Sequence, residues 1–193
     1  MGIFDKIFGK KTPLEKPQSV TKKEDDISAD TLFVKQFKAK GGKFLYCDSK
    51  EEVLTFLQNI FKENPWEATQ CIDKDLSKFL RIIDIPIEDK APVFFANCEH
   101  LIAEDGSILF SSMQLKETKL MHYPTSFIVF ATTSQLIQSK DSALSSIKQR
   151  FSKEIPSNIS AIKDYMPQKK DPNFLNYGNT NSKNLYLLLF EDL

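Results

Sequence analysis

The sequence is poor in cysteine, histidine, tryptophan and glycine, and neither sign of charge is in excess. Its 193 residues include three Cys, two His, one Trp and six Gly. Cys47, Cys71 and Cys98 are odd in number, far apart, and form no C-x-x-C pair. That excludes a zinc ribbon, a ferredoxin-type iron–sulfur motif and a thioredoxin motif. It also argues against a disulfide framework and points to a reducing cytoplasm. Lys plus Arg and Asp plus Glu both number 26, so the formal net charge is zero. A nucleic-acid binder needs a basic excess to neutralise phosphates, and none is present. No apolar run approaches the roughly eighteen residues that a membrane-spanning helix needs. The start does not read as a signal peptide, because Asp5 and Lys6 interrupt Ile3-Phe4 and Ile7-Phe8 and no apolar core follows. Lys6 also stands where a myristoylated Gly2 would require Ser or Thr.

What is present suits one domain with a short appendage. A chain of this length buries roughly 70% of its unfolded surface. The hydrophobic fraction, 41%, and the charged fraction, 27%, are ordinary for a globular protein and argue against global disorder. Residues 1–28 differ from the rest. Ile3, Phe4, Ile7 and Phe8 share one face of a short helix, and Pro13 and Pro17 follow. Residues 1–23 carry six Lys against Asp5 and Glu15. This reads as a flexible basic tail with an amphipathic tip. The tip is either a frayed end or a docking peptide for a membrane surface or partner.

From residue 29 onward, helices alternate with short apolar runs. Asp30 is expected to cap a helix through Lys40, ended by Gly41-Gly42. Lys43–Cys47 reads as a buried strand. Ser49 and Glu52 form an S-x-x-E capping box for a helix that stops near Asn64-Pro65. A further helix is expected over Lys74 to Ile82, and Pro86 and Pro92 bracket a loop. Val93–Ala103 and Ser107–Ser111 flank Glu104-Asp105-Gly106, where Asp-Gly is a strong hairpin signal. Phe127–Ala131 reads as a strand covered on both faces. Asp141–Phe151 is an expected helix with Ala143, Leu144, Ile147 and Phe151 inward. Asn158–Ile162 and Leu185–Phe190 complete the strands. The alternation predicts a layered α/β fold with a mostly parallel sheet and a β-hairpin near Glu104-Gly106.

Ala103-Glu104-Asp105-Gly106-Ser107 resembles the A-E-[TD]-G-[ST] signature of the lactate-utilisation (LUD) domain family, the LutC/YkgG-like proteins. Pro124 with Phe127–Phe130, then Thr133–Ile137 with Asp141–Leu144, and the closing Lys183–Asp192 resemble the family's later segments in the same order. The resemblance covers about residues 30–193 and is clearest after residue 93. Ser111–Lys116 and Asn158–Ser160 look like the small stand-alone members from Bacteroidetes. The resemblance implies a NagB/RpiA/CoA-transferase-like fold, with residues 29–193 as the LUD domain. It also implies a place beside iron–sulfur partners in oxidising L-lactate to pyruvate. This chain alone is expected to bind no cofactor. The sequence departs from the family at three places: the loop Ser111–Lys119, the segment Asn158–Asp164, and Tyr177-Gly178-Asn179 before the last strand.

Several residues are candidates for chemistry. Glu104, beside a glycine at a hairpin tip, is the candidate catalytic nucleophile or base; turn geometry accounts for Asp105 and Gly106 but only partly for Glu104. Ser111, Ser112, Lys116 and Lys119 form a hydroxyl-then-lysine run that suits an anion, or else a solvated loop. Gly178 and Asn179 are candidate ligand contacts in a polar turn. Cys98 and His100 would share one strand face, as a thiol–imidazole site or as ordinary packing. Three functions follow as expectations. The first is an accessory or ligand-binding component of lactate utilisation that takes a small anionic metabolite. The second is a stand-alone enzyme on a CoA thioester or sugar phosphate. The third is an interaction module with a vestigial pocket.

Overall fold

A computed structural model describes residues 28–166 and 182–192. The expected tail, apart from Ser28, and the Gly178-Asn179 turn lie outside the described residues. In chain order the elements are α1 (Ala29–Ala39), β1 (Lys43–Cys47), α2 (Lys50–Glu63), α3 (Leu76–Ile82), β2 (Val93–Ala96), β3 (His100–Ile102) and β4 (Ser107–Phe110). They continue with α4 (Ser112–Leu115), β5 (Ser126–Thr132), β6 (Leu136–Ile137), α5 (Lys140–Arg150), β7 (Ser160–Ile162) and β8 (Asn184–Phe190).

Two sheets form among the described residues. The first is parallel throughout, in the order β1-β8-β5-β2. The second has the order β6-β3-β4-β7 and contains the expected hairpin, β3 antiparallel to β4. Period-2 alternation sorts the apolar residues of β8. Leu185, Leu187 and Leu189 face a core shared with Phe94, Phe127 and, from the second sheet, Leu101, Ile108 and Phe110. Tyr186 and Leu188 face the opposite way, onto Val53, Leu57 and Ile60 of α2 and Leu80 of α3. On the outer face of the second sheet, Ile102 and Leu109 meet Ala143 and Ile147 of α5. The result is the layered α/β architecture with a mostly parallel sheet that the alternation implied.

Helix ends follow the local sequence closely. Lys40 ends α1, Gly41 takes φ +87°, and the N–H groups of Gly41 and Gly42 donate to the carbonyls of Lys38 and Phe37. That double bond is a Schellman closure, which only a residue free of the Cβ clash adopts at low cost. Ser28, not Asp30, stands at the N-cap of α1; Asp30 lies in the first turn, where its charge favours the helix dipole. Ser49 caps α2 by accepting from the Glu52 N–H, and Glu52 accepts from Asp48 N–H, one residue earlier than a closed capping box.

The expected run Val93–Ala103 is not one strand. It is β2 in the parallel sheet and β3 in the second sheet, separated by Asn97-Cys98-Glu99. Apolar continuity cannot distinguish one strand from two that change sheets. Leu144 is exposed rather than inward, because only Ala143 and Ile147 of α5 reach the sheet. The Thr133–Ile137 segment supplies the short strand β6, which was not expected.

Gly106 closes the hairpin at φ +65°, and a Cβ there would meet Phe37 N at 2.5 Å and the Gln36 carbonyl carbon at 2.8 Å. The hairpin tip therefore packs against the backbone of α1. Gly106→Ala should destabilise the protein by more than about 2 kcal/mol in urea denaturation, from strain and overpacking together; a loss under about 0.5 kcal/mol would contradict this packing.

Lys183 is buried at 3% exposure, with Nζ donating to the carbonyls of Tyr123 (3.0 Å) and Pro124 (2.9 Å). Burial lowers its pKa from 10.5 to about 8. Between those values the unfolded lysine holds a proton that the folded one has released, so this group adds stability as pH rises through that window. Burial holds the Cys47, Cys71 and Cys98 thiols and the Tyr165 hydroxyl in their protonated forms, so these groups act in the opposite direction. Comparison with Lys183→Met cancels them. From pH 8 to 10.5 the stability difference should shift in favour of the natural chain; a pH-independent difference would contradict the buried charge.

Candidate functional site

The chain leaves the parallel sheet at the carboxyl end of β2, and Asn97-Cys98-Glu99 carry it to β3. Ligands of parallel α/β sheets collect outside such carboxyl ends. Glu99 is only 2% exposed, so its carboxylate must be satisfied from within. Oε1 accepts from Ser111 Oγ (2.5 Å) and Gln114 Nε2 (3.1 Å), and Oε2 accepts from the Arg150 guanidinium. Three side chains from two elements converge on one carboxylate: Ser111 and Gln114 at the start of α4, and Arg150 at the end of α5.

Ser111 has two tasks. Its hydroxyl donates to Glu99 and accepts from Met113 N–H (3.1 Å), which starts α4. The Gln114 side chain returns the bond by accepting from Ser111 N–H at 2.9 Å. This S-x-x-Q box holds the loop that the sequence singled out. Ser112 N–H donates to Ser157 O, and Asn158 Nδ2 donates to the carbonyls of Lys116 (3.2 Å) and Thr118 (2.8 Å). Lys116 is thereby held at φ +52°, ψ −142°, a backbone region that residues with side chains rarely adopt.

Helix α4 separates two clefts. The smaller, of about 260 Å³, opens at the carboxyl end of β2 between Asp73-Lys74 on one side and Gln114 and Lys116 on the other, with Ala96 and Asn97 at the strand end. The larger, of about 620 Å³, lies between Ser112, Glu117 and the segment Arg150–Ser157. Its charges offset one another: Arg150 is committed to Glu99, and Lys153 stands with Glu117 and Glu154. The smaller cleft has two exposed lysines and one carboxylate, Asp73, which is already engaged. Asp73 accepts from the N–H groups of Asp75 and Leu76 and from Asn97 Nδ2 (3.1 Å). Its electrostatics suit an anion; those of the larger cleft do not.

The sequence-selected residues are thus divided. Ser111 is buried beneath the site, Ser112 lines the larger cleft, Lys116 the smaller, and Lys119 is exposed and lines neither. Glu104 also lines neither. It is exposed at the hairpin tip, where Oε1 accepts from the Lys140 N–H at the start of α5 (3.1 Å). Next to it, Asp105 accepts from Ser107 N–H and pairs with Lys140 at 2.6 Å. Burial opposes the charge on Asp105, but its bonds to Lys140 and Ser107 prevail and its pKa is lowered.

Cys98 falls outside β3, so it does not share a strand face with His100. Burial pushes its thiol far up, away from the reactive thiolate. His100 is 7% exposed. Nδ1 lies 3.2 Å from the Gln135 carbonyl, an acceptor only, so Nδ1 carries the proton. Burial above all, and the Arg150 charge, lower its pKa against the pull of the Gln135 bond, and Nε2 is buried without a partner. The three thiols do not fit an iron–sulfur cluster: Cys47 and Cys98 lie in the cores on opposite faces of the parallel sheet.

Glu99, Arg150, Gln114 and Asn97 were not singled out from sequence. Two signals were available. Glu99 is a charge inside an apolar stretch, and Arg150 is one of only two arginines, with Arg81, in a lysine-rich chain. A planar guanidinium is the usual partner of a buried carboxylate.

Among solved structures the chain is similar to the crystal structure of a DUF162 family protein from Deinococcus radiodurans. The TM-score is 0.59 at 11% identity, covering 84% of this chain and 96% of that one. No family model matches the sequence, and no curated protein matches it. DUF162 is the LUD domain family, and at that identity the likeness carries the fold alone: the architecture is LUD-like.

Proposed function

We propose that this chain is a LUD-like ligand-binding protein and an accessory component of lactate utilisation. In this reading it holds a small anionic metabolite while iron–sulfur partners carry the electrons. The chain acts in the cytoplasm, with residues 1–28 as a tail ahead of the domain 29–193. The observation that carries the binding reading is Lys116. Its backbone is held in a costly conformation by Asn158, at the mouth of a small cleft at the carboxyl end of β2. Strain of this kind, about 1–3 kcal/mol for one residue, is characteristic of ligand clamps. The cleft volume of about 260 Å³ suits a metabolite of a few heavy atoms. The pathway rests on the fold likeness and on the ordered sequence resemblance.

The enzyme reading, with Glu104 as nucleophile, has less support. The Glu104 carboxylate accepts from the first N–H of α5 and faces neither cleft, so a hairpin-to-helix link accounts for it.

Lys116→Gly separates clamp from scaffold. Glycine accepts the backbone conformation, so thermal stability should hold or rise by about 1 kcal/mol. Affinity for L-lactate or pyruvate, measured by calorimetric titration, should fall at least about tenfold, as expected on losing a charge-assisted bond. Full affinity in the glycine variant would overturn the assignment.

A further inference from the structure

The smaller cleft contains two side-chain amides, Gln114 and Asn97, and each has a carboxylate behind it. An amide can present either a donor or an acceptor, and its direction is set by partners that have only one role. Gln114 Oε1 accepts from the Ser111 backbone N–H at 2.9 Å, and a backbone N–H can only donate. Gln114 Nε2 donates to Glu99 Oε1 at 3.1 Å. Glu99 is ion-paired to Arg150 and therefore only accepts. Rotating the amide by half a turn would set N–H against N–H and carbonyl against carboxylate. Asn97 is oriented from one side, with Nδ2 donating to Asp73 Oδ2 at 3.1 Å. Each amide nitrogen carries a second N–H.

We propose that Gln114 and Asn97 are the specificity-determining donors of this cleft, aimed by Glu99 and Asp73, and that together they take the carboxylate of a short-chain monocarboxylate. This rests on the reading above, that an anion occupies the cleft beside Lys116. Donors locked in this direction accept an oxyanion and reject an ammonium or an amide N–H, because the rejected group would meet N–H with N–H. Lys116 and Lys74 supply the charge. Arg150 offsets Glu99, so that carboxylate orients Gln114 without repelling the ligand. Ala96 at the strand end, Phe94 within β2 and Met113 across the opening give an apolar wall for a short carbon chain. Glu99 touches no ligand in this arrangement; it is a positioning residue acting through Gln114.

The test follows the side-chain amide signals of the ¹⁵N-labelled full chain during separate titrations with sodium pyruvate, L-lactate and inorganic phosphate. The Gln114 and Asn97 NH₂ signals should move and saturate with pyruvate and L-lactate. Gln114→Glu should lose at least tenfold in pyruvate affinity and also lose thermal stability, because it places two carboxylates together. The exchange variant, Glu99→Gln with Gln114→Glu, restores one carboxylate–amide pair. It should regain stability and still fail to bind pyruvate, since a carboxylate now faces the ligand. Pyruvate affinity at the natural level in the exchange variant would overturn the proposal. So would saturable movement of the Lys116 backbone signal with both amides unmoved, which leaves the anion reading standing. Phosphate binding more tightly than pyruvate would overturn the monocarboxylate assignment. No response in the cleft to any of the three anions would overturn both.

Discussion

A carboxylate buried to 2% exposure must find its partners inside the protein, and Glu99 finds three of them on two separate segments. It sits where the chain changes sheets, between β2 and β3. Leaving it unpaired would cost several kcal/mol, so the start of α4 and the end of α5 have to arrive there. Ser111 both caps α4 and donates to Glu99, which ties the helix start to the sheet crossing. Arg150 can reach Glu99 because the inner face of α5, Ala143 and Ile147, packs on Ile102 and Leu109. The position of the Ser111–Lys119 loop, and hence of both clefts, follows from this one group.

The rest of the scaffold serves that junction. The parallel sheet is covered on one face by α2 and α3 and on the other by the second sheet and α1, so its strands are apolar on both faces. Its carboxyl edge is tied off with polar bonds. Asp192 accepts from Ser134 N–H and from the Thr133 and Ser134 hydroxyls, and these bonds lower its pKa to about 2 against the opposing effect of burial. Gln135, in the same turn, donates to Cys98 O at 2.5 Å and places its carbonyl at His100. The ends of β5 and β8 are thereby joined to the crossing segment. A rigid frame of this kind can hold Lys116 in an unfavourable conformation, because Asn158 secures the carbonyls on either side of the turn.

Much of the fold was legible in the sequence because its signals were local. Gly41-Gly42, Ser49 and Asp105-Gly106 mark their turns and caps through backbone chemistry that does not depend on the rest of the chain. The apolar runs of β5 and β8 announce a sheet covered on both sides. What the sequence obscured was non-local. Val93–Ala103 is continuous in hydropathy, and only the pairing of β2 with β5 and of β3 with β4 shows where it changes sheets. The loop Ser111–Lys119 reads in the sequence as one candidate site element, but its members are divided among a buried cap, two clefts and open solvent. Glu104 drew attention through family resemblance, and its observed bond is to a helix start. Glu99 and Arg150 are 51 residues apart, a distance over which no motif operates.

The central claim is that a small carboxylate binds at the carboxyl end of β2 on amides fixed from behind. The crystal structure of the full chain grown with pyruvate tests this most directly. The expected result is a pyruvate carboxylate within hydrogen-bond reach of Gln114 Nε2, Asn97 Nδ2 and Lys116 Nζ, with Glu99 still paired to Arg150. Pyruvate seated beside Glu104, or against Arg150 in the larger cleft with the smaller one vacant, would contradict it.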